Sequence, residues 1–323
     1  MYILERPALT DAMILAGSIS EPSPRETEWV SGGTYTVGME RTRSSLHRVY
    51  RCAVARNPSS TPTSATAPEA DPTGWVEVRP TDRWVPMGAY VNAAGQTIYR
   101  GLAVESTTAD LVWRLQLRYC NALALFGLRG ARVRVQVYSS VGGTLVEERE
   151  LTLKRPASGY WDYGYGERVT RDRLLIADLP IYPAAEVVIT VEGSVDQLRR
   201  ITQLSFGKLR YLPGVSFGGV EYGVTNTVRV RMFRQQDPDG TEAVLIYGTS
   251  QDLQGVVVLG PERENAALVL LRRLVGQGVA VLPSLQFDAE QRLTFGVIDV
   301  APVKRESPSH ATVDISVRGL PVD

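Results

Sequence analysis

The sequence predicts a mainly β protein built from three folded units. These are a small aromatic β module, an antiparallel jelly-roll-like β-sandwich and a small C-terminal α+β domain with one helix. Three observations carry that prediction. Stretches of strictly alternating apolar and polar residues recur through the middle of the chain, as half-buried strands require. Turn signals rich in Gly, Pro and Ser separate them, with no helical period between. One segment, beginning at Pro261, has the composition and the ends of an amphipathic helix. At 323 residues the chain exceeds what one core usually organises, so two or three domains are expected.

Residues 1–28 lack a period. Pro22, Pro24 and nearby charges read as an extended arm, either packed on a neighbouring subunit or disordered. Residues 29–78 form the aromatic module. It opens Trp29-Val-Ser-Gly-Gly-Thr-Tyr35-Thr-Val-Gly38, continues through His47-Arg-Val-Tyr50-Arg51-Cys52 and a Pro/Ser/Thr loop, and closes at Gly74-Trp75-Val-Glu-Val78. Residues 79–100, with Pro80-Thr-Asp-Arg-Trp84, read as a connector.

Residues 101–213 are the sandwich. In Arg132-Val-Arg-Val-Gln-Val-Tyr138 the three valines share one face, and in Leu111-Val-Trp-Arg-Leu-Gln-Leu117 so do Trp113, Leu115 and Leu117. Glu186-Val-Val-Ile-Thr-Val-Glu192 and Leu204-Ser-Phe-Gly-Lys-Leu-Arg-Tyr211 add two more strands. Residues 155–177 look like a long crossing connection, which favours a jelly roll.

Residues 214–323 form the α+β domain. Strands are expected at 228–233, 254–259, 279–282, 293–299 and 311–317, and a helix over 261–276. Proline opens that helix, acids fill its first turn, arginines lie near its end and Gly276 follows. Leu268, Leu271 and Val275 would face the core.

Composition excludes several classes. With 35 basic and 35 acidic side chains there is no bulk field to draw the chain onto nucleic acid or an anionic membrane, and self-association is mildly favoured. No apolar run reaches the length of a membrane span, and the start lacks a secretory signal, so synthesis in the cytosol is expected. Cys52 and Cys120 are too few for a disulfide framework and read as buried, reduced thiols.

Catalytic signatures are weak, so the chain is not expected to be an enzyme and no cofactor is implied. The two histidines, His47 and His310, and the two cysteines have no metal-ligand spacing. Gly214-Val-Ser216-Phe-Gly218 reads as the linker opening the last domain rather than a nucleophile elbow. Paired carboxylates of a polysaccharide-degrading enzyme cannot be picked out without spatial proximity.

Two aromatic clusters are candidate binding residues. Trp29, Tyr35, Tyr50 and Trp75 either stack on a saccharide or make up the miniature core of a module with little else to bury. Tyr160, Trp161, Tyr163 and Tyr165, in a glycine-rich setting, read as a binding loop or as a plug at one end of the sandwich. Arg132, Arg134, Arg229 and Arg231 would line a solvated sheet face or a subunit contact.

The pattern Trp29, Tyr35-x-x-Gly38, Tyr50, Asn57, Pro62 and Trp75 resembles the small chitin- and cellulose-binding modules of bacterial chitinases. The likeness covers about fifty residues and departs from the family at Met39 and Glu40 and in a longer, more polar turn over 41–46. It implies a carbohydrate-binding-like fold whose rings contact glycan. The order of modules over roughly residues 5–225 is similar to that of tailed-phage virion proteins. Its most specific string is the connector Trp75-Val-Glu-Val-Arg-Pro-Thr-Asp-Arg-Trp84, and a segment like Gly219-Val-Glu-Tyr-Gly223 follows the sandwich. Where many relatives carry Phe-Asp after the connector Trp, this chain has Val85-Pro-Met87. The resemblance implies a homo-oligomeric structural protein of the tail tip or baseplate, located in the virion. Its implied partners are copies of itself, other tail proteins and host surface glycan. A glycan-binding adhesin or receptor-binding protein is the alternative.

Overall fold

A computed structural model of the chain describes residues 1–321 except 8, 92–96, 100, 155–158, 166–169, 213–219, 222, 237–241, 286–288 and 306. The protein is mainly β and sandwich-like, as the sequence predicts. Strand β1 (Tyr2–Glu5) opens the chain. The aromatic module holds β2 (Glu40–Arg43), β3 (Arg48–Cys52) and β4 (Trp75–Pro80), and a short hairpin follows, β5 (Ala89–Val91) with β6 (Thr97–Tyr99). The sandwich region comprises β7 (Val104–Ser106), β8 (Leu111–Leu117), β9 (Ala122–Phe126), β10 (Arg132–Tyr138), β11 (Leu145–Thr152), α1 (Tyr160–Tyr165), β12 (Arg173–Ile176), β13 (Ala185–Glu192), β14 (Arg199–Ile201) and β15 (Gln203–Tyr211). The last region contains β16 (Thr225–Gln236), β17 (Glu242–Leu259), α2 (Glu264–Leu274), β18 (Gly278–Leu282), β19 (Thr294–Val300), β20 (Val303–Lys304) and β21 (Ala311–Gly319).

The alternating strands pack as their periodicity demands. β8, β10 and β13 turn Trp113, Leu115, Val133, Val135, Val187 and Ile189 inward, where they meet Leu123, Leu125, Leu174, Leu204 and Phe206 of the opposite layer in one core. Each such side chain contributes about 1.5–3 kcal/mol on burial. One layer runs β11-β10-β13-β8, all antiparallel. The other runs β12-β9-β15, and β7 pairs with β14 just before β15 begins. This is the strand order of a jelly roll.

β9 has no sequence signature because both of its faces are buried. Leu123 and Leu125 point into the sandwich core. Ala122, Ala124 and Phe126 enter a second core with Leu4, Ala280, Leu282 and Phe295. A strand covered on both sides reads as a continuous apolar run rather than an alternation.

The N-terminal residues differ most from the expected arm. β1 pairs with β15 on one side and with β18 on the other, so it lies inside the sheet. Ile3 and Leu4 are both fully buried, Ile3 against the core under α2 and Leu4 against Phe126 and Phe295. Through β1, the sandwich layer continues into β18, β19, β21, β17 and β16, making one ten-stranded sheet with β20 attached to β21. Residues 14–19 run along β8, where Leu15 N–H donates to Arg114 O and Ile19 N–H to Val112 O.

The expected helix is shorter than its capping residues indicate. Residues Pro261–Arg263 form a 3-10 turn, and α2 begins at Glu264. Its buried stripe is Ala267, Leu271 and Leu274 rather than Leu268, Leu271 and Val275. Val275 has already left the helix and is exposed, and Gly276 then turns at φ +83°.

Candidate functional site

In the aromatic module, β2, β3 and β4 form a three-stranded sheet too small to bury much aliphatic surface. Tyr35, Tyr50 and Trp75 therefore become its core, each 3–4% exposed, together with Cys52. Tyr35 meets Trp75 edge-on, with ring centroids 5.1 Å apart. Its hydroxyl donates to Val30 O and accepts from Val30 N–H, which closes the loop behind Trp29. Trp29 packs partly buried against the cluster, and the Arg43 guanidinium covers its ring at 5.0 Å. The structure thus brings the four predicted residues together, but Tyr35, Tyr50 and Trp75 have no free face on which to stack a sugar.

A buried ion pair braces the same module. Arg56 and Asp71 are 5% and 2% exposed, and Arg56 Nε donates to Asp71 Oδ2 at 2.6 Å. Asp71 Oδ1 also accepts from Thr73 Oγ1 and Gly74 N–H. The Arg56 guanidinium holds the Asp71 carboxyl down at about 2, well below its ordinary 3.8. Gly74 is required here, because a Cβ would lie 2.2 Å from Asp71 Oδ2. Neither Arg56 nor Asp71 was expected from sequence. The only available signal was Asp71-Pro-Thr-Gly74, a turn in which an aspartate bonds the chain just ahead of it.

Pro80-Thr-Asp-Arg-Trp84 is a junction. Thr81 and Asp82 are buried, and two glutamates from residues 1–28 meet them. Thr81 Oγ1 donates to Glu21 Oε1, and His47 Nδ1 lies 3.0 Å from that carboxylate while its ring stacks on Trp84 at 4.7 Å. Asp82 Oδ2 accepts from Ser23 Oγ at 2.6 Å, and Arg79 Nη1 donates to both Asp82 and Glu26. Burial pushes the Glu26 carboxyl up. Arg83 donates to Ile14 O and accepts, through its carbonyl, from Trp113 Nε1. Five consecutive residues therefore tie the N-terminal segment, the module and the sandwich core together.

A cleft of about 470 Å³ opens beside this junction, bordered by Ser23, Arg25, Asp82, Glu105, Asp110 and Leu111. Its acidic groups serve internal partners: Asp110 pairs with Arg199 at 2.8 Å, and Asp82 with Arg79. Among the described residues no group of three or more His, Cys, Asp or Glu is placed to hold a metal ion. Both cysteines are buried and free, their thiols pushed up by burial.

The second aromatic cluster has the opposite environment. Tyr160, Trp161, Tyr163 and Tyr165 lie on α1, a six-residue helix within the crossing connection between β11 and β12, and each is 74–84% exposed. Trp161 and Tyr165 lie 5.5 Å apart, and Tyr160 meets Trp161 edge-on. Tyr160 and Tyr165 both pack on Trp161, and the four rings face outward instead of plugging the sandwich.

Three of the four arginines expected on a solvated face form cross-strand ion pairs, and the side chain of Arg231 lies outside the described residues. Arg132 bridges Glu150 and Glu192, Arg134 reaches Glu148 and Glu192, and Arg229 pairs with Asp252. Gly214-Val-Ser216-Phe-Gly218, and Gly219 and Tyr222 of the segment after the sandwich, lie outside the described residues. Among the described residues no helix is long and apolar enough to cross a membrane. Comparison with protein-family models, curated proteins and solved structures finds no match to this chain.

Proposed function

We propose that the chain is a structural component of a tailed-phage tail tip or baseplate, contributing to assembly, fibre attachment or host-surface contact. The observation that carries this reading is the ribbon of β16 and β17. β17 is eighteen residues long, but β21 pairs only with Leu253–Leu259. Among the described strands, β16 is the one that pairs with the earlier residues of β17, and Val228, Val230, Met232 and Val244 of this ribbon are exposed. A two-stranded ribbon with exposed valines and methionine is barely stable in water and is the kind of element a neighbouring subunit covers. The resemblance of the Trp75–Trp84 connector and the module order to tail proteins supplies the setting. Mass spectrometry of purified virions is expected to detect the chain in fixed proportion to other tail proteins; its absence from intact particles would overturn the proposal.

The glycan-binding reading moves from the module to α1, since four adjacent exposed rings are what a saccharide-stacking surface needs. Under that reading, the double substitution Trp161→Ala/Tyr163→Ala abolishes retention on host surface polysaccharide while leaving the melting temperature unchanged. Full retention by that variant would remove it.

A further inference from the structure

β16 ends the ten-stranded sheet, and no described strand pairs with its outer side. Its sequence, Thr-Asn-Thr-Val-Arg-Val-Arg-Met-Phe-Arg-Gln-Gln, has three arginines and no acid. From Val230↔Thr249 to Gln236↔Glu242 the ribbon runs roughly 20 Å at the usual rise of a strand. An exposed strand edge of this length is a template for another chain.

The four-stranded layer offers a second open edge of opposite charge. Its end strand β11 reads Leu-Val-Glu-Glu-Arg-Glu-Leu-Thr, three glutamates to one arginine. Glu148 and Glu150 reach Arg134 and Arg132 on their inner side but keep 41% and 46% of their side chains exposed. Leu145 and Val146 beside them are exposed too. The remaining ends are poorer templates: residues 14–19 run along β8, and β12 has only four residues.

Charge then selects the pairing. Two β16 edges would set arginine against arginine, and two β11 edges glutamate against glutamate, both unfavourable across adjacent strands. We infer that the β16 edge of one copy adds onto the β11 edge of a second copy, extending its four-stranded layer by the two strands of the ribbon. Arg229 and Arg231, which share one face of β16, come to lie along Glu148 and Glu150, which share one face of β11, and the edge carrying Val228, Val230 and Met232 is covered by the neighbour. Different edges meet, so the contact is head-to-tail and closes into a ring when the rotation allows. This inference rests on the assembly reading above and names the partner for it.

Sedimentation velocity on the full chain tests it, with two charge-reversed variants, Arg229→Glu/Arg231→Glu and Glu148→Arg/Glu150→Arg. The wild type is expected to assemble with increasing concentration and to dissociate at high salt. Each variant alone is expected to lose association by about tenfold or more. Mixing the two restores it, because the reversed edges complement each other. Circular dichroism and thermal melts verify that each variant is folded; where one is not, the neutral changes Arg229→Gln/Arg231→Gln or Glu148→Gln/Glu150→Gln replace that reversal, and the loss of association is then the readout. A wild type that stays monomeric at every concentration overturns the inference. So do variants that assemble as well as the wild type, or a mixture that remains apart. Variants that assemble normally in a chain found in virions would sink the edge pairing alone, whereas absence from virions would sink the assembly reading.

Discussion

The aromatic module and α1 are both rich in rings and glycine, yet the module turns its rings in and α1 turns them out. Tyr35, Tyr50 and Trp75 are 3–4% exposed, whereas Tyr160, Trp161, Tyr163 and Tyr165 are 74–84% exposed. The difference lies in what else each region has to bury. The module has three short strands and few aliphatic residues, so its rings, with Cys52 and the Arg56–Asp71 pair, make up much of its interior. α1 belongs to a sandwich whose core is already filled by Leu, Val and Ile with Trp113 and Phe206, so its rings contribute nothing to that core. Ring density in a sequence signals a core where aliphatic residues are scarce, and a contact surface where they are abundant.

Substitutions break or sharpen this contrast, beginning with the largest expected effect. Trp75→Ala should destabilise the module by about 3–5 kcal/mol, read from chemical denaturation, because it empties the centre of the ring cluster. A small change would mean that the module does not depend on its rings. Asp71→Asn should cost about 3 kcal/mol, since it leaves the Arg56 guanidinium buried without its carboxylate. The same pair sets an acid limit. A carboxyl held at about 2 against an ordinary 3.8 contributes stability that is complete above about pH 4 and is lost as pH falls through about 2. That contribution is on the order of 2 kcal/mol, and it should be missing from the acid melt of Asp71→Asn. Trp161→Ala should change stability by less than about 0.5 kcal/mol. A loss as large as that of Trp75→Ala would erase the distinction between the two regions.

The sequence disclosed what was half-buried and hid what was buried on both sides. β8, β10 and β13 alternate because one face meets the core and the other meets water, so their limits were legible to within a residue. β1 and β9 lie between two cores and carry no alternation, and the four residues of β1 are too few for any period. The ten-stranded continuity they create was accordingly invisible. At the site level the ring cluster was legible as a unit, but its exposure was not, because a tryptophan's spacing does not say which side faces water. Arg56 and Asp71 escaped because they sit in a long loop and find each other only through the fold. Pro80-Thr-Asp-Arg-Trp84 stood out as a string, and its hydrogen bonds to Glu21, Ser23 and Glu26 account for that particular order of residues.

The most direct measurement is hydroxyl-radical footprinting of the free chain and of intact particles containing it. A tail structural protein whose exposed surfaces are contacts should show strong oxidation at Trp161, Tyr163, Val230 and Met232 when free and protection at these positions after assembly, with Trp75 unreactive in both. Equal oxidation at those positions in the two states, or particles that lack the chain, would contradict the account.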